Sequence, residues 1–267
     1  MKHAVLVDLA KCIGCGSCTV ACKLYNQNKW IEGRAPTSGS DAKLADENWT
    51  VVRTFTPEKN GKKVLRYTKR QCLHCQDPAC ASACFAKALR KTESGAVAYH
   101  PALCVGCRYC MIACPFDVPK FEWGKVLPTV TKCMMCGSRL EKGQTPACVS
   151  VCPTGVMTVG PRDEMLAKAK KLLASDKSYV SRIYGEKEAG GTSWMYISDT
   201  PFEELGFKAV SDKPLTTRTA PYMRWTPRLG ILWGVALTVL YFINNKCRKK
   251  AEDNTAASSN QRENSNV

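Results

Sequence analysis

"CVGCRYCMIACP", residues 104–115, places four cysteines and a proline in twelve positions. Thiols packed this densely are not ordinary core residues, and the pattern is not alone. Cys12, Cys15, Cys18 and Cys22 read CxxCxxCxxxC, and Cys104, Cys107, Cys110 and Cys114 repeat that spacing before Pro115. Cys72, Cys75, Cys80 and Cys84 read CxxCxxxxCxxxC. Cys133, Cys136, Cys148 and Cys152 read CxxC, eleven residues, then CxxxC before Pro153. The chain has 17 cysteines, so four quartets leave only Cys247 over. Internal repetition of this kind is architecture.

Three chemistries use closely spaced cysteines. Disulfides gain little from bridging residues two or three apart, because the loop they close is so short. A secreted disulfide scaffold is also usually a shorter chain that opens with a signal peptide. The opening "MKHAVLVDLAKC" has a brief apolar run broken by Asp8, with no small-residue cleavage site and no twin-arginine pair. Neither a signal peptide nor a twin-arginine leader is therefore expected, and cytosolic, reduced cysteines are. Zinc favours two CxxC pairs separated by a longer stretch, which only the fourth quartet resembles. The first and third quartets match the bacterial ferredoxin run, in which three close cysteines grip one iron–sulfur cubane and the fourth reaches to a second. Two-residue gaps curl the backbone around a cluster, and Gly14, Gly16 and Gly106 allow close approach. All sixteen quartet positions are cysteine, which predicts four [4Fe–4S] clusters in two ferredoxin-like modules. Spacing alone leaves open which quartets pair.

The formal charge of +16 raises the question of nucleic acid. The Lys and Arg residues are scattered with no aromatic-interleaved stripe, and cubanes ligated by thiolates offset part of the excess, so no nucleic-acid partner is expected. No catalytic constellation can be assembled around His3, His74 and His100. His74, inside "CLHC", is a candidate tuner of one cluster, with a plain packed histidine the favoured reading. Lys11, Lys23 and Arg108 adjoin ligands and could raise potentials; ordinary surface charge is slightly favoured.

The fold class expected is α+β: two ferredoxin-like cluster-binding modules in a loop-rich domain, plus one C-terminal transmembrane helix. The four-cluster domain is placed at 1–160, with a loop and hairpin insertion at 31–70 turning at Asn60-Gly61. "SGAVAYH" and "VMTVG" read as short strands. "RDEMLAKAKKLLAS" reads as an amphipathic helix capped by Asp163, with Met165, Leu166, Ala169, Leu172 and Leu173 on one face. Residues 161–224 are assigned to this helix, a strand-containing arm lying on a partner, and a polar connector. Leu229–Ile243 is uncharged, roughly 22 Å long as a helix against a membrane core near 30 Å. Tyr222, Trp225 and Tyr241 flank it as interfacial anchors, so 225–245 is assigned as the transmembrane helix and 246–267 as a disordered polar tail.

The quartets, with "GCRYCMIACPFDVPKFEW", "KCMMCGSRLEKGQTPACVSVCPTG" and "IYGEKEAGGTSWMYISDTPFEELGF", resemble the four-cluster electron-transfer subunits of membrane-bound bacterial oxidoreductases. Formate dehydrogenase, dimethyl sulfoxide reductase and hydrogenase-2 use such subunits, and the resemblance covers residues 3 to 245. It is nearest to the hydrogenase-2 and formate dehydrogenase iron–sulfur subunits. The resemblance implies a nested pairing: Cys12, Cys15 and Cys18 with Cys152; Cys133, Cys136 and Cys148 with Cys22; Cys72, Cys75 and Cys80 with Cys114; Cys104, Cys107 and Cys110 with Cys84. It implies a non-catalytic relay between a catalytic subunit (nickel–iron hydrogenase or molybdopterin enzyme) and an integral membrane quinone-reactive or cytochrome b subunit. The alternative is a subunit of another molybdopterin oxidoreductase acting on sulfur compounds, nitrite or dimethyl sulfoxide. The location implied is the inner membrane, with the cluster domain on the periplasmic side and exported with a partner.

Overall fold

Residues 2–59, 61–125 and 128–264 are described by the computed structural model. Among the described residues twelve short strands and seven α-helices succeed one another. Strand β1 (His3–Asp8) leads into the first cysteine loop and α1 (Ser17–Asn26). The insertion follows, with β2 (Ser38–Gly39), β3 (Val51–Phe55), β4 (Glu58–Lys59), β5 (Lys62–Lys63) and β6 (Arg66–Arg70). Antiparallel β3–β6 and β4–β5 pairs make the expected hairpin; its Asn60 lies outside the described residues. The second and third quartets enclose α2 (Ala79–Ser82), β7 (Leu89–Lys91), β8 (Val97–Tyr99) and α3 (Tyr109–Ala113). Next come β9 (Lys120–Phe121), β10 (Val130–Thr131), α4 (Gly137–Glu141) and α5 (Ala147–Ser150). The remainder is β11 (Met157–Pro161), α6 (Arg162–Ser175), β12 (Trp194–Ile197) and α7 (Thr216–Asn264). The two strands expected from "SGAVAYH" and "VMTVG" are β8 and β11.

The central sheet orders its strands β11–β1–β12, antiparallel on one side (Val5 opposite Val159) and parallel on the other (Val5 opposite Trp194). Its period-two alternation divides the core in two. Ala4, Leu6, Met195 and Ile197 meet Met165 and Ala169 of α6, with Leu166, Leu172 and Leu173 packed alongside. Val5, Val7, Trp194 and Tyr196 face the other way, toward Cys72, Leu73, Phe116, Cys133 and Cys148. Both faces are thus covered, which is why β1 and β12 read as unbroken apolar runs. The helix face expected for α6 is the one that packs. Its cap is not: Pro161 occupies the N-cap, and Asp163 lies inside the first turn, where its charge favours the helix dipole.

Every side chain of β12, in the segment read as a partner-binding arm, is wholly buried in the chain's own core. Tyr184, Phe202 and Phe207 stack around Tyr196, with ring centroids 4.6–6.4 Å apart. The chain divides into compact units at Met1–Thr217 and Arg218–Val267, with no boundary near 160. The polar connector is also helical from Thr216 onward. That helix runs on to Asn264, through the tail expected to be disordered; Ala251, Glu252, Ala256, Ala257 and Gln261 are strong helix formers. Within it Trp225–Lys249, mean hydropathy 1.5, is long and apolar enough to cross a membrane.

One ion cluster ties the β12 segment to the hairpin. Asp199 accepts from Lys59 Nζ at 2.8 Å and from Arg66 Nε at 2.9 Å. Burial opposes its charge, but Arg66 and Lys59 outweigh burial and hold its carboxyl well below the usual carboxylate range. A depressed carboxyl stabilises the fold above its unfolded value near pH 4, and that contribution is lost as pH falls through the folded value. Asp199→Asn is expected to cost about 1.5–3 kcal/mol at neutral pH and to flatten the acid limb of a stability–pH curve measured by urea unfolding.

Candidate metal centres

Each quartet opens on the same backbone turn. The residue before the second cysteine is left-handed in all four: Gly14 at φ +71, His74 at +50, Gly106 at +71 and Met135 at +56. Successive amides in such a turn point inward and form an anion-accepting nest. At Gly14 the need is steric as well, since a Cβ there would lie 2.4 Å from the Tyr67 ring. His74 and Met135 adopt this conformation without being glycine, strain of the kind that gathers at functional sites.

Two groups of thiols that cut across the quartets each line a common cavity. Cys12, Cys15, Cys18 and Cys152 line one cavity. Cys84, Cys104, Cys107 and Cys110 line another. Cys22 lies in the electrostatic reach of Cys148 and Cys136, and Cys133 in that of Cys22 and Cys148. Cys75 is likewise coupled to Cys72, Cys114 and Cys80. Among the described residues no three His, Cys, Asp or Glu side chains converge tightly enough for a single ion. The cysteines instead surround spaces, as ligands of a multi-iron cluster must.

Burial governs their acidity. It pushes Cys18, Cys22 and Cys80 up to about 12 and Cys110 and Cys114 up to about 11, with neighbouring thiols adding to the rise. Cys15 moves the other way: hydrogen bonding with the Ser17 hydroxyl lowers it. Thiols so reluctant to ionise become good ligands only when a metal replaces the proton. Donors already point at the sulfurs. Ala88 N–H donates to Cys84 Sγ at 3.2 Å, Met135 N–H to Cys133 Sγ at 3.4 Å, and Asn26 Nδ2 to Cys22 Sγ at 3.4 Å. The cavities, the inward turns and the sulfur-directed donors together fit cubane clusters.

The flagged charges separate. Lys11 is an exposed surface residue paired with Asp8 at 2.9 Å. Lys23 is buried, donating to the Lys29 carbonyl at 2.7 Å and standing over the Trp30 ring. Arg108 lines the Cys104 cavity and stacks on Trp123 at 4.2 Å. His74 is wholly buried; its Nδ1 accepts from Val97 N–H at 2.8 Å, and its Nε2 has no partner among the described residues. Burial, reinforced by Lys132, Lys91 and Lys69, holds it well below the ordinary histidine value, so it is a neutral, packed imidazole. Sequence reasoning missed these three lysines. Lys69 and Lys132 are buried, yet nothing marks them among the 39 basic residues. Cys247, outside every quartet, lies on exposed α7.

Two family models, both described as 4Fe-4S dicluster domains, match residues 11–88 and 63–162. A protein of Nitratidesulfovibrio vulgaris is 37% identical over 265 residues, covering 96% of this chain and 70% of its own. The hydrogenase-2 operon protein HybA of Escherichia coli O157:H7 is 34% identical over 91% of this chain and 84% of its own. The iron–sulfur subunit of the nitrate-inducible formate dehydrogenase of Escherichia coli K12 is 37% identical over 73% of this chain and 67% of its own. Matching relatives over most of its length and bearing dicluster domains at both ends of its cysteine-rich region, the chain belongs to the 4Fe-4S dicluster iron–sulfur proteins.

Proposed function

We propose that this chain is the electron-relay subunit of a membrane-bound oxidoreductase of hydrogenase-2 or formate dehydrogenase type, holding four [4Fe–4S] clusters in two ferredoxin-like modules. The ligand sets are Cys12, Cys15, Cys18, Cys152; Cys22, Cys133, Cys136, Cys148; Cys72, Cys75, Cys80, Cys114; and Cys84, Cys104, Cys107, Cys110. Bound clusters supply reversible one-electron carriage. The observation that carries the reading is the order of the four sets. Cys18 neighbours Cys148, Cys133 neighbours Cys72, and Cys80 neighbours Cys110, which links the sets end to end. The two end sets each have one solvent-exposed cysteine, Cys15 and Cys107, and the two middle sets have none. The chain's residues thus bury the interior of the path and leave its ends open to partners.

The end sets are where a catalytic subunit and a quinone-reactive or cytochrome b subunit would exchange electrons. The apolar part of α7 anchors the chain in the inner membrane. Lys246, Arg248, Lys249 and Lys250 cluster at its C-terminal end against Arg218, Arg224 and Arg228 at the other. This small excess agrees with the cytoplasmic tail and periplasmic cluster domain implied by the family resemblance. In this reading that domain crosses the membrane folded and bound to an exported partner subunit.

Protein purified without oxygen together with its partners is expected to be brown and to hold about 16 irons per chain. Its visible absorbance should bleach under hydrogen if the partner is a hydrogenase, or on adding formate if it is a formate dehydrogenase. Colourless, iron-poor protein from a properly reconstituted preparation would end this reading.

A further inference from the structure

Lys69, on β6, is 2% exposed, yet among the described residues it forms no ion pair with a carboxylate. Its ammonium donates to Gln71 Oε1 at 2.9 Å and Thr50 Oγ1 at 3.3 Å, and stands 4.4 Å over the Trp194 ring. A buried cation with only neutral partners is strongly unfavourable unless something opposes its charge. The opposing groups are the cysteines. Lys69 lines the cavity formed by Cys12, Cys15, Cys18 and Cys152. Its field also reaches Cys22, Cys133, Cys136 and Cys148 of the adjoining set. The other two sets have different cations: Lys91 acts on Cys75 and Lys132 on Cys80.

We infer that Lys69 is the fixed counter-charge shared by the two clusters of this first pair of ligand sets, raising both of their reduction potentials together. The inference rests on the cluster assignment proposed above. One electron arriving from a reduced neighbouring cluster adds one negative charge beside the ammonium and leaves again to the next cluster. No bond forms or breaks, and Lys69 keeps its protons throughout. Because one charge is felt on both sides, it favours the electron's arrival on either cluster while leaving little bias between them. Lys69 is therefore a positioning residue for charge.

The test is an EPR-monitored redox titration of the full chain, with its copurifying subunits, as Lys69→Met, Lys69→Gln and Lys69→Arg. In the Met and Gln variants, reduction of two clusters is expected to become about tenfold harder, a midpoint fall of about 59 mV for a one-electron couple. The other two midpoints should hold, and Lys69→Arg should titrate like the parent. If Met and Gln prevent those two clusters from assembling while Arg permits it, the counter-charge is likewise supported. The inference is overturned by unmoved midpoints in the Met and Gln variants, by an Arg variant that falls as far as Met, or by cluster loss in all three. Iron and sulfide content of the parent protein separates these outcomes from failure of the cluster assignment itself.

Discussion

Cys152→Ala is expected to remove one whole cluster, taking iron from about 16 to about 12 per chain, although its own quartet supplies ligands mainly to a different one. In the proposed pairing Cys152 closes the set begun by Cys12, Cys15 and Cys18, with which it shares a cavity. Double variants distinguish this from pairing within quartets. Cys12→Ala combined with Cys152→Ala should lose no more iron than either alone, because both changes strike the same cluster. Cys133→Ala combined with Cys152→Ala should lose two clusters and leave about 8 irons. The opposite pattern would overturn the nested pairing. Cys247→Ala, outside every set, should leave iron unchanged.

Ending the chain after Thr217 is expected to move it from carbonate-washed membranes almost wholly into the supernatant, with its iron retained. The 25-residue stretch Trp225–Lys249 is long and apolar enough to cross a membrane. A lysine or arginine at the centre of such a helix costs about 2.5–3.5 kcal/mol, so Leu237→Arg should weaken the anchoring without shortening the chain. The truncated unit keeps all twelve strands and every quartet, which is why its iron is expected to stay. A truncated chain that remained with the washed membranes would mean that α7 is not the anchor.

The cysteine chemistry was legible because ligand spacing is local. A CxxC turn needs only its own residues, and the shared left-handed position could be found by aligning Gly14 and Gly106 across quartets. Hairpin β3–β6 and helix α6 were legible for the same reason. What escaped were pairings made at long range. Strand β12 lies parallel to a strand some 190 residues earlier, and nothing in "SWMYIS" names that mate. Lys69 shares its strand with other basic residues, and only the fold reveals which of them points inward. The helix beyond residue 245 escaped because low apolar content was read as disorder, whereas helix propensity is separate from burial.

The central sheet also fixes a timetable for biosynthesis. Strand β1 leaves the ribosome first, but its two neighbours span 157–161 and 194–197. At 5–20 residues per second, translation separates β1 from β12 by roughly 10 to 40 s. Until β11 is made, the sticky "AVLV" strand of the nascent polypeptide has no mate in its sheet. In the proposed pairing the set opened by the first cysteine loop is completed by Cys152, so its cluster can close only after most of the cluster-bearing part has been made.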